Sequence, residues 1–333
     1  MKDNIKYIAV SLLCLMALAC MEKTEFPQTE DNAISLSVAL SQTKASIFDT
    51  PSSLINNEIG GANMIVSSYV TGNGEDAGNL HINNVRVTYF ADDQSWRFTN
   101  SVGAFVNYYW PKQDKLDFFA YFPVDLTKTA VNGVTYTYQH GPSFTYALPL
   151  DNQENLQEFI YSYVKNQDGS TPDVILDFHH PFAAVRFELG TSYRLDKLHN
   201  ITLDDIFYSG SYSVNSTGVL QGSLNDTKGG LSISIEKGVP DPINFNSPIG
   251  GPYLVAPQSI PEDARFVISY TRLDLAKETK TVTLKSLGGI EEWEAGKLYT
   301  YKLSLGNTEE EILFKVTVEN WKVVDHKNEI DVE

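Results

Sequence analysis

Residues 108–123 read YYWPKQDKLDFFAYFP. Alternate positions carry Leu116, Phe118, Ala120 and Phe122 in one set, and Asp117, Phe119 and Tyr121 in the other. Successive side chains of a strand point to opposite faces. This segment is therefore apolar on one face and nearly so on the other, the pattern of a central strand covered from both sides. Pro111 and Pro123 bound it, because proline cannot donate to a ladder.

The same period of two recurs on either side. Ile34, Leu36, Val38 and Leu40 alternate with small or polar residues, and so do residues 85–89 (VRVTY) and 231–235 (LSISI). Tyr299, Tyr301, Leu303 and Leu305 form another such set, and Ile312, Phe314, Val316 and Val318 close the series. One apolar face per strand is the pattern of half-buried antiparallel sheets. Turn signals fall at Asn73-Gly74, Asn132-Gly133, Asp168-Gly169, Gly229-Gly230 and Gly288-Gly289. Asn132-Gly133, between two strand-like runs, predicts a two-residue hairpin. Helical spacing is confined to residues 153–163, where Leu156, Phe159, Ile160 and Tyr163 would share one face of a short helix. A Gly, Ser and Pro cluster at residues 167–173 (QDGSTPD) marks a domain boundary. The expectation is an all-β chain of two antiparallel β-sandwich domains in tandem, residues 33–170 and 171–333, each of ordinary size for that architecture.

Residues 1–19 read MKDNIKYIAVSLLCLMALA. Two lysines precede a 13-residue apolar run, residues 7–19. That is a secretory signal, too short for a membrane span of about 20 helical residues. It ends Ala17-Leu18-Ala19-Cys20, which resembles a bacterial lipobox and assigns lipidation to Cys20. Two or more acyl chains anchor stably, at about 0.8 kcal/mol per buried methylene. Residues 20–32 are polar and acidic and read as a tether. The formal charge is −17, and removal of residues 1–19 leaves the chain near −18. So acidic a surface repels phosphate backbones, which excludes nucleic acid as a partner. Cys14 and Cys20 are the only cysteines, so processing leaves no intrachain disulfide.

The order of these segments resembles the fimbrillin-like family of Bacteroidota surface lipoproteins. The shared features are YWP with LDFFAYFP at 109–123, VILDFHHPFAAVRFEL at 174–189, YLVAPQ at 253–258, Trp293 followed by GKLY at 296–299, and Trp321 closing a valine-rich strand. The resemblance implies two transthyretin-like sandwiches, export to the outer membrane, and assembly into fimbriae as stalk, tip or anchor subunits that contribute to adhesion and biofilm formation. It also implies donor-strand exchange, a form of β-augmentation in which a protease cuts near the end of the first strand and a neighbour's strand fills the groove.

Carried onto this chain, the exchangeable first strand is residues 33–40 (AISLSVAL), with Ile34, Leu36, Val38 and Leu40 facing the core and the ribbon at a sheet edge. Lys44, in the polar stretch QTKAS at 42–46, is the candidate processing site; the plainer reading is a solvated lysine in a turn. The tail after Trp321 (KVVDHKNEIDVE) is charged and makes a poor donor, which favours a tip, anchor or accessory subunit. Implied partners are other fimbrial subunits, the outer membrane through Cys20, and host or bacterial surface glycans or proteins. The alternative is a stand-alone surface lipoprotein that binds glycans or host ligands through exposed tryptophans.

Catalytic readings find little support. The six histidines (His81, His140, His179, His180, His199 and His326) form no HExxH motif, and no cysteine remains to complete a zinc set. No GxSxG elbow occurs. Residues 151–155 lack the glycine and distal glutamate of a calcium loop. Asp204-Asp205 and Glu291-Glu292 read as solvated acids. No enzyme activity, cofactor or metal is expected.

Overall fold

The computed structural model describes residues 32–40, 63–72, 74–151, 153, 156–171, 173–190, 195–234, 249, 252–272, 276–287, 290–305 and 312–320. Among these residues the chain is almost wholly β, with helical structure confined to 3-10 turns such as Leu126–Lys128 and Leu284–Leu287.

The first sheet has seven strands in the order β8-β5-β2-β3-β4-β1-β9. They are β1 (Ser35–Leu40), β2 (Asn63–Thr71), β3 (Leu80–Phe90), β4 (Ser95–Thr99), β5 (Lys115–Phe122), β8 (Ile160–Gln167) and β9 (Asp173–Phe178). The outer strands meet again through a bridge between Tyr161 and His179, so the sheet curls back on itself. It encloses a core that includes Ile34, Leu36, Val66, Leu116, Phe118, Val174 and Phe178.

A second sheet, β13-β12-β7-β6, joins β6 (Val131–Thr137) and β7 (Gly141–Ala147) to β12 (Ser209–Val214) and β13 (Leu220–Leu224). Two four-stranded sheets then face each other. One is β15-β10-β20-β21, from β10 (Ala183–Leu189), β15 (Tyr253–Val255), β20 (Lys297–Leu305) and β21 (Ile312–Asn320). The other is β14-β11-β17-β18, from β11 (Leu195–Phe207), β14 (Lys228–Ser234), β17 (Arg265–Arg272) and β18 (Lys277–Thr283). Phe187, Tyr299 and Tyr301 from the first pack on Leu203, Phe266 and Ile268 from the second. A two-stranded ribbon pairs β16 (Gln258–Ser259) with β19 (Glu292–Trp293). Its Gln258 side chain is buried and bonds both backbone groups of Phe207, accepting at 3.0 Å and donating at 2.8 Å.

Strand β5 sits between β2 and β8, as its pattern requires. Leu116, Phe118 and Ala120 have no exposed surface, and Phe119 on the other face is 2 % exposed. That other face meets the second sheet through a core containing Phe144, Phe159, Phe182 and Tyr212. Asp117 is buried there as well. Its Oδ1 accepts the Asn166 amide at 2.7 Å, and its carbonyl accepts the Tyr136 hydroxyl at 3.1 Å. Burial raises the Asp117 carboxyl above its ordinary range, opposed by the Asn166 amide and Lys165.

Four expectations are corrected. Two pairings, β1 with β9 and β10 with β20, are parallel. The helix at 153–163 is absent among the described residues there, because β8 begins at Ile160 and takes up β5's ladder. Phe159 and Ile160 are buried in different cores, as alternating strand geometry allows. Asn132-Gly133 lies inside β6, where the register with β7 slips between Val131 and Gly133. The pair forms a bulge, and the true turn precedes Gly141, whose φ is +68°. Gly229-Gly230 lies inside β14, not at a turn. A Cβ on Gly229 would stand 2.4 Å from Leu150 Cδ1, and one on Gly230 would stand 2.3 Å from Asp204 Oδ1. Those glycines answer close packing.

Sheet membership also runs across residue 170. The cluster at 167–173 turns the chain from β8 to β9 within one sheet, and β12 pairs with β7. Gly and Pro mark a turn there as readily as a linker.

Two outcomes follow from the burial around β5. Phe118→Ala should destabilise the protein by about 3–5 kcal/mol in urea unfolding, because nothing solvent-facing can collapse into the void. Asp117→Asn keeps the acceptor for Asn166 while removing a charge that the fold disfavours. A carboxyl whose folded pKa is raised loses stability as pH rises through that value. The variant should therefore melt higher than the parent at pH 7, with the difference closing in acid. A difference that does not change with pH would contradict this account of Asp117.

Candidate strand-exchange site

Strand β1 is fixed from three directions. Along one side it runs parallel to β9 through six register pairs, from Ser35 opposite Asp173 to Leu40 opposite Phe178. On the other side it meets β4 at one pair, Leu36 opposite Trp96. At its start Ala33 bridges Tyr109, and the Ile34 amide donates to the Tyr108 carbonyl at 2.7 Å. The Trp110 amide donates to the Asn32 carbonyl at 3.1 Å, and Asn32 Nδ2 donates to the Trp110 carbonyl at 3.2 Å. Ser35 Oγ donates to the Asp173 carboxylate on the outer face.

Alternation works as expected on this strand. Ile34 and Leu36 are each 6 % exposed in the first core, and Val38 packs against it half-buried. Two fully buried side chains contribute about 3–6 kcal/mol together, and each ladder bond adds roughly 0.5–1.5 kcal/mol net. The expectation of an edge ribbon is not met. β1 is flanked on both sides, and β9 is the edge strand. The chain returns to β1 from more than a hundred residues away, and β1's own pattern holds no sign of that return. The difference matters physically. Removing an edge strand shortens a sheet, whereas removing β1 would open a slot between β4 and β9 onto the apolar residues beneath it.

Cys20 and Lys44 lie outside the described residues. Leu40 takes its place in the ladder opposite Phe178. Trp110 and Trp293 are buried and Trp96 is half-buried, so none of these three stands out from the surface as a sugar platform; Trp321 lies outside the described residues. His179 is exposed, 3.9 Å from Asp177, while His180 is buried against Glu158. This is the split between surface and core edge that adjacent positions predict. Arg265 reaches Asp205 at 2.6 Å and Asp204 at 4.0 Å, which places that acid pair in a surface ion cluster. Among the described residues no three His, Cys, Asp or Glu side chains group as metal ligands. No helix there is long and apolar enough to cross a membrane. Sequence reasoning missed Asn32, Asp173 and the backbone of residues 108–110 as β1's anchors, since backbone pairing leaves little trace in residue type.

Comparison with known proteins gives consistent matches. A family model described as fimbrillin-like matches residues 52–321. A fimbrial protein from Bacteroides vulgatus superposes with a TM-score of 0.55 at 17% identity, over 87% of this chain and 99% of that one. A structure described as a candidate cell adhesion protein from Bacteroides uniformis gives 0.54 at 17%, over 87% and 99%. One described likewise from Bacteroides ovatus gives 0.52 at 17%, over 88% and 98%. At these identities the superpositions speak for the fold. No curated protein matches the chain.

The unequal burial along β1 sets an order of effects. Leu36→Ala should cost about 2–5 kcal/mol in urea unfolding, and Val38→Ala clearly less. Equal costs would show that β1 is not seated as described.

Proposed function

The chain belongs to the fimbrillin-like family, and from that premise we propose that it is a structural subunit of a cell-surface fimbrium, joined to its neighbours by exchange of β1. In this reading lipid on Cys20 holds the uncut subunit at the outer membrane, cleavage at Lys44 severs the covalent link between β1 with its lipid and the body of the domain, and a strand from another subunit later displaces β1. The assembled fimbrium contributes to adhesion and biofilm formation. The role within it is tip, anchor or stalk.

The observation that carries the reading is the seating of β1: a full ladder on one side, a single pair on the other, and two side chains sunk into the core. Lys44 follows the strand by four residues. A cut there leaves every contact of β1 in place. The nicked subunit therefore stays closed until a competing strand forms the same contacts, which keeps the apolar slot away from water before assembly.

Two variants test the two steps separately. Lys44→Ala should leave only the uncut lipoprotein on cells, read from the N-terminal sequence of the isolated protein; an unchanged N-terminus and unchanged filaments would discard cleavage at this site. Ser37 and Ile175 are register partners on the outer face of β1 and β9. The double variant Ser37→Cys, Ile175→Cys should tie the strand down under oxidising conditions and stop assembly, with recovery on reduction. Filaments that grow equally well from the oxidised protein would exclude exchange of β1.

A further inference from the structure

Beside the pinned start of β1 lies an open cleft of about 550 Å³. That volume lies within the usual range for small-molecule sites, about 300–1,000 Å³. One wall is the turn between β2 and β3, the other is the segment 109–114, and Asn32 lines it as well. The turn is held by its own hydrogen bonds. The Gly78 amide donates to the Val70 carbonyl, and the Val70 amide to the Asn79 carbonyl, both at 2.9 Å. Asn79 Nδ2 donates to the Asp76 carboxylate at 3.0 Å. Gly78, with φ +89°, supplies the left-handed step that closes the loop. The Asp114 carboxylate lies close against this turn, since a Cβ on Gly74 would stand 2.6 and 2.7 Å from its two oxygens.

The lining has two characters. Leu80, 45 % exposed, lies with Tyr109 and Pro111 as an apolar surface. Asp76, Asn79, Gln113 and Asp114 bring carboxylates and amides, groups that between them accept and donate several hydrogen bonds in fixed planes. Two carboxylates outnumber the one ammonium, that of Lys112. His81 adds no positive charge at neutral pH: its Nε2 donates to the Tyr109 carbonyl at 2.9 Å, and burial holds its imidazole below the ordinary range. The whole chain carries −17. An anionic ligand is repelled here, and metal ligands do not cluster among the described residues. The net negative lining would also attract a cation, but a compact cation would leave the apolar wall and the amides unused; a ligand that meets the whole lining has an apolar face and presents many groups that both donate and accept.

We propose that this cleft binds a neutral saccharide of one or two pyranose rings, with the C–H face on Leu80, Tyr109 and Pro111 and the hydroxyls on Asp76, Asn79, Gln113 and Asp114. Asn32 lines the cleft and would leave with β1 in strand exchange, so the site is tested on the uncut chain, where it stands or falls apart from that reading.

The test uses the full chain purified in detergent. An array carrying neutral, sialylated and sulfated oligosaccharides identifies binders, and calorimetric titration with the best neutral one measures affinity. The expected result is binding of neutral glycans at about 1 mM or tighter, unchanged by a chelator. Asp114→Ala and Gly74→Ala should each weaken it at least tenfold, the second by pushing the carboxylate aside. Melting curves show whether each variant is folded, and Asp114→Asn, which keeps the side chain's shape, replaces any that is not. Absence of neutral binders, binding confined to charged glycans, loss of binding on chelation, or full affinity in the folded variants would each overturn the proposal.

Discussion

Strand β5 has to be covered twice. Leu116 and Phe118 fill the inside of the curled sheet, and Phe119 and Tyr121 stand on its outside, where water would meet them if nothing else did. The second sheet answers that demand. Phe119 lies 5.7 Å from Tyr136, Tyr121 lies 5.7 Å from Phe159, and Phe144 stacks on Tyr212 at 4.9 Å, distances at which aromatic pairs attract. Ala184, Leu254 and Leu298 from the far sandwich reach the same core. An apolar outer face on one strand thus binds the two halves of the molecule together. Tyrosine suits this layer because its ring is apolar and its hydroxyl finds a carbonyl: Tyr69 donates to Tyr136 at 3.2 Å, and Tyr212 donates to Pro181. Burial pushes the phenols of Tyr146, Tyr161 and Tyr163 up to about 12, so they stay neutral donors across the physiological range.

Much of this was legible in the residues. Alternation located β5, β3 and β14, and it identified the faces that Tyr299, Tyr301 and Leu303 bury. It could do so because burial of one face is a local property of a strand. Glycine was harder to interpret. At Asn132-Gly133 and Gly229-Gly230 the residue type promised a turn, yet the structure uses it for a bulge and for close contact with Leu150 and Asp204. Glycine reports that a side chain cannot be accommodated without saying whether backbone angle or crowding is the reason. The helical spacing at 153–163 was a coincidence of four apolar residues whose neighbours, once β5 is in place, are better served by its ladder.

Sites assembled from distant segments were the least visible. The alternation of β1 was plain, but its place between β4 and β9 depends on where residues 173–178 return. The cleft beside it joins Asp76 and Asn79 to Asp114 through the turn of one hairpin and a segment some 30 residues further on. In sequence these were three unremarkable polar positions in loops. The closeness of Gly74 to the Asp114 carboxylate shows that the two walls meet.

The parallel pairing of β1 with β9 carries a geometric consequence for how copies could add to one another. The seat has a sense: the one ribbon it holds runs parallel to β9 and antiparallel to β4. A surface that receives a strand in this manner is unlike the surface that offers one, so the joint lacks twofold symmetry. Contacts of that kind do not saturate by pairing; they repeat, each member leaving a vacant end for the next. In a fibre built by exchange of β1, growth would then have a fixed polarity, set by which of the two unlike surfaces is left vacant.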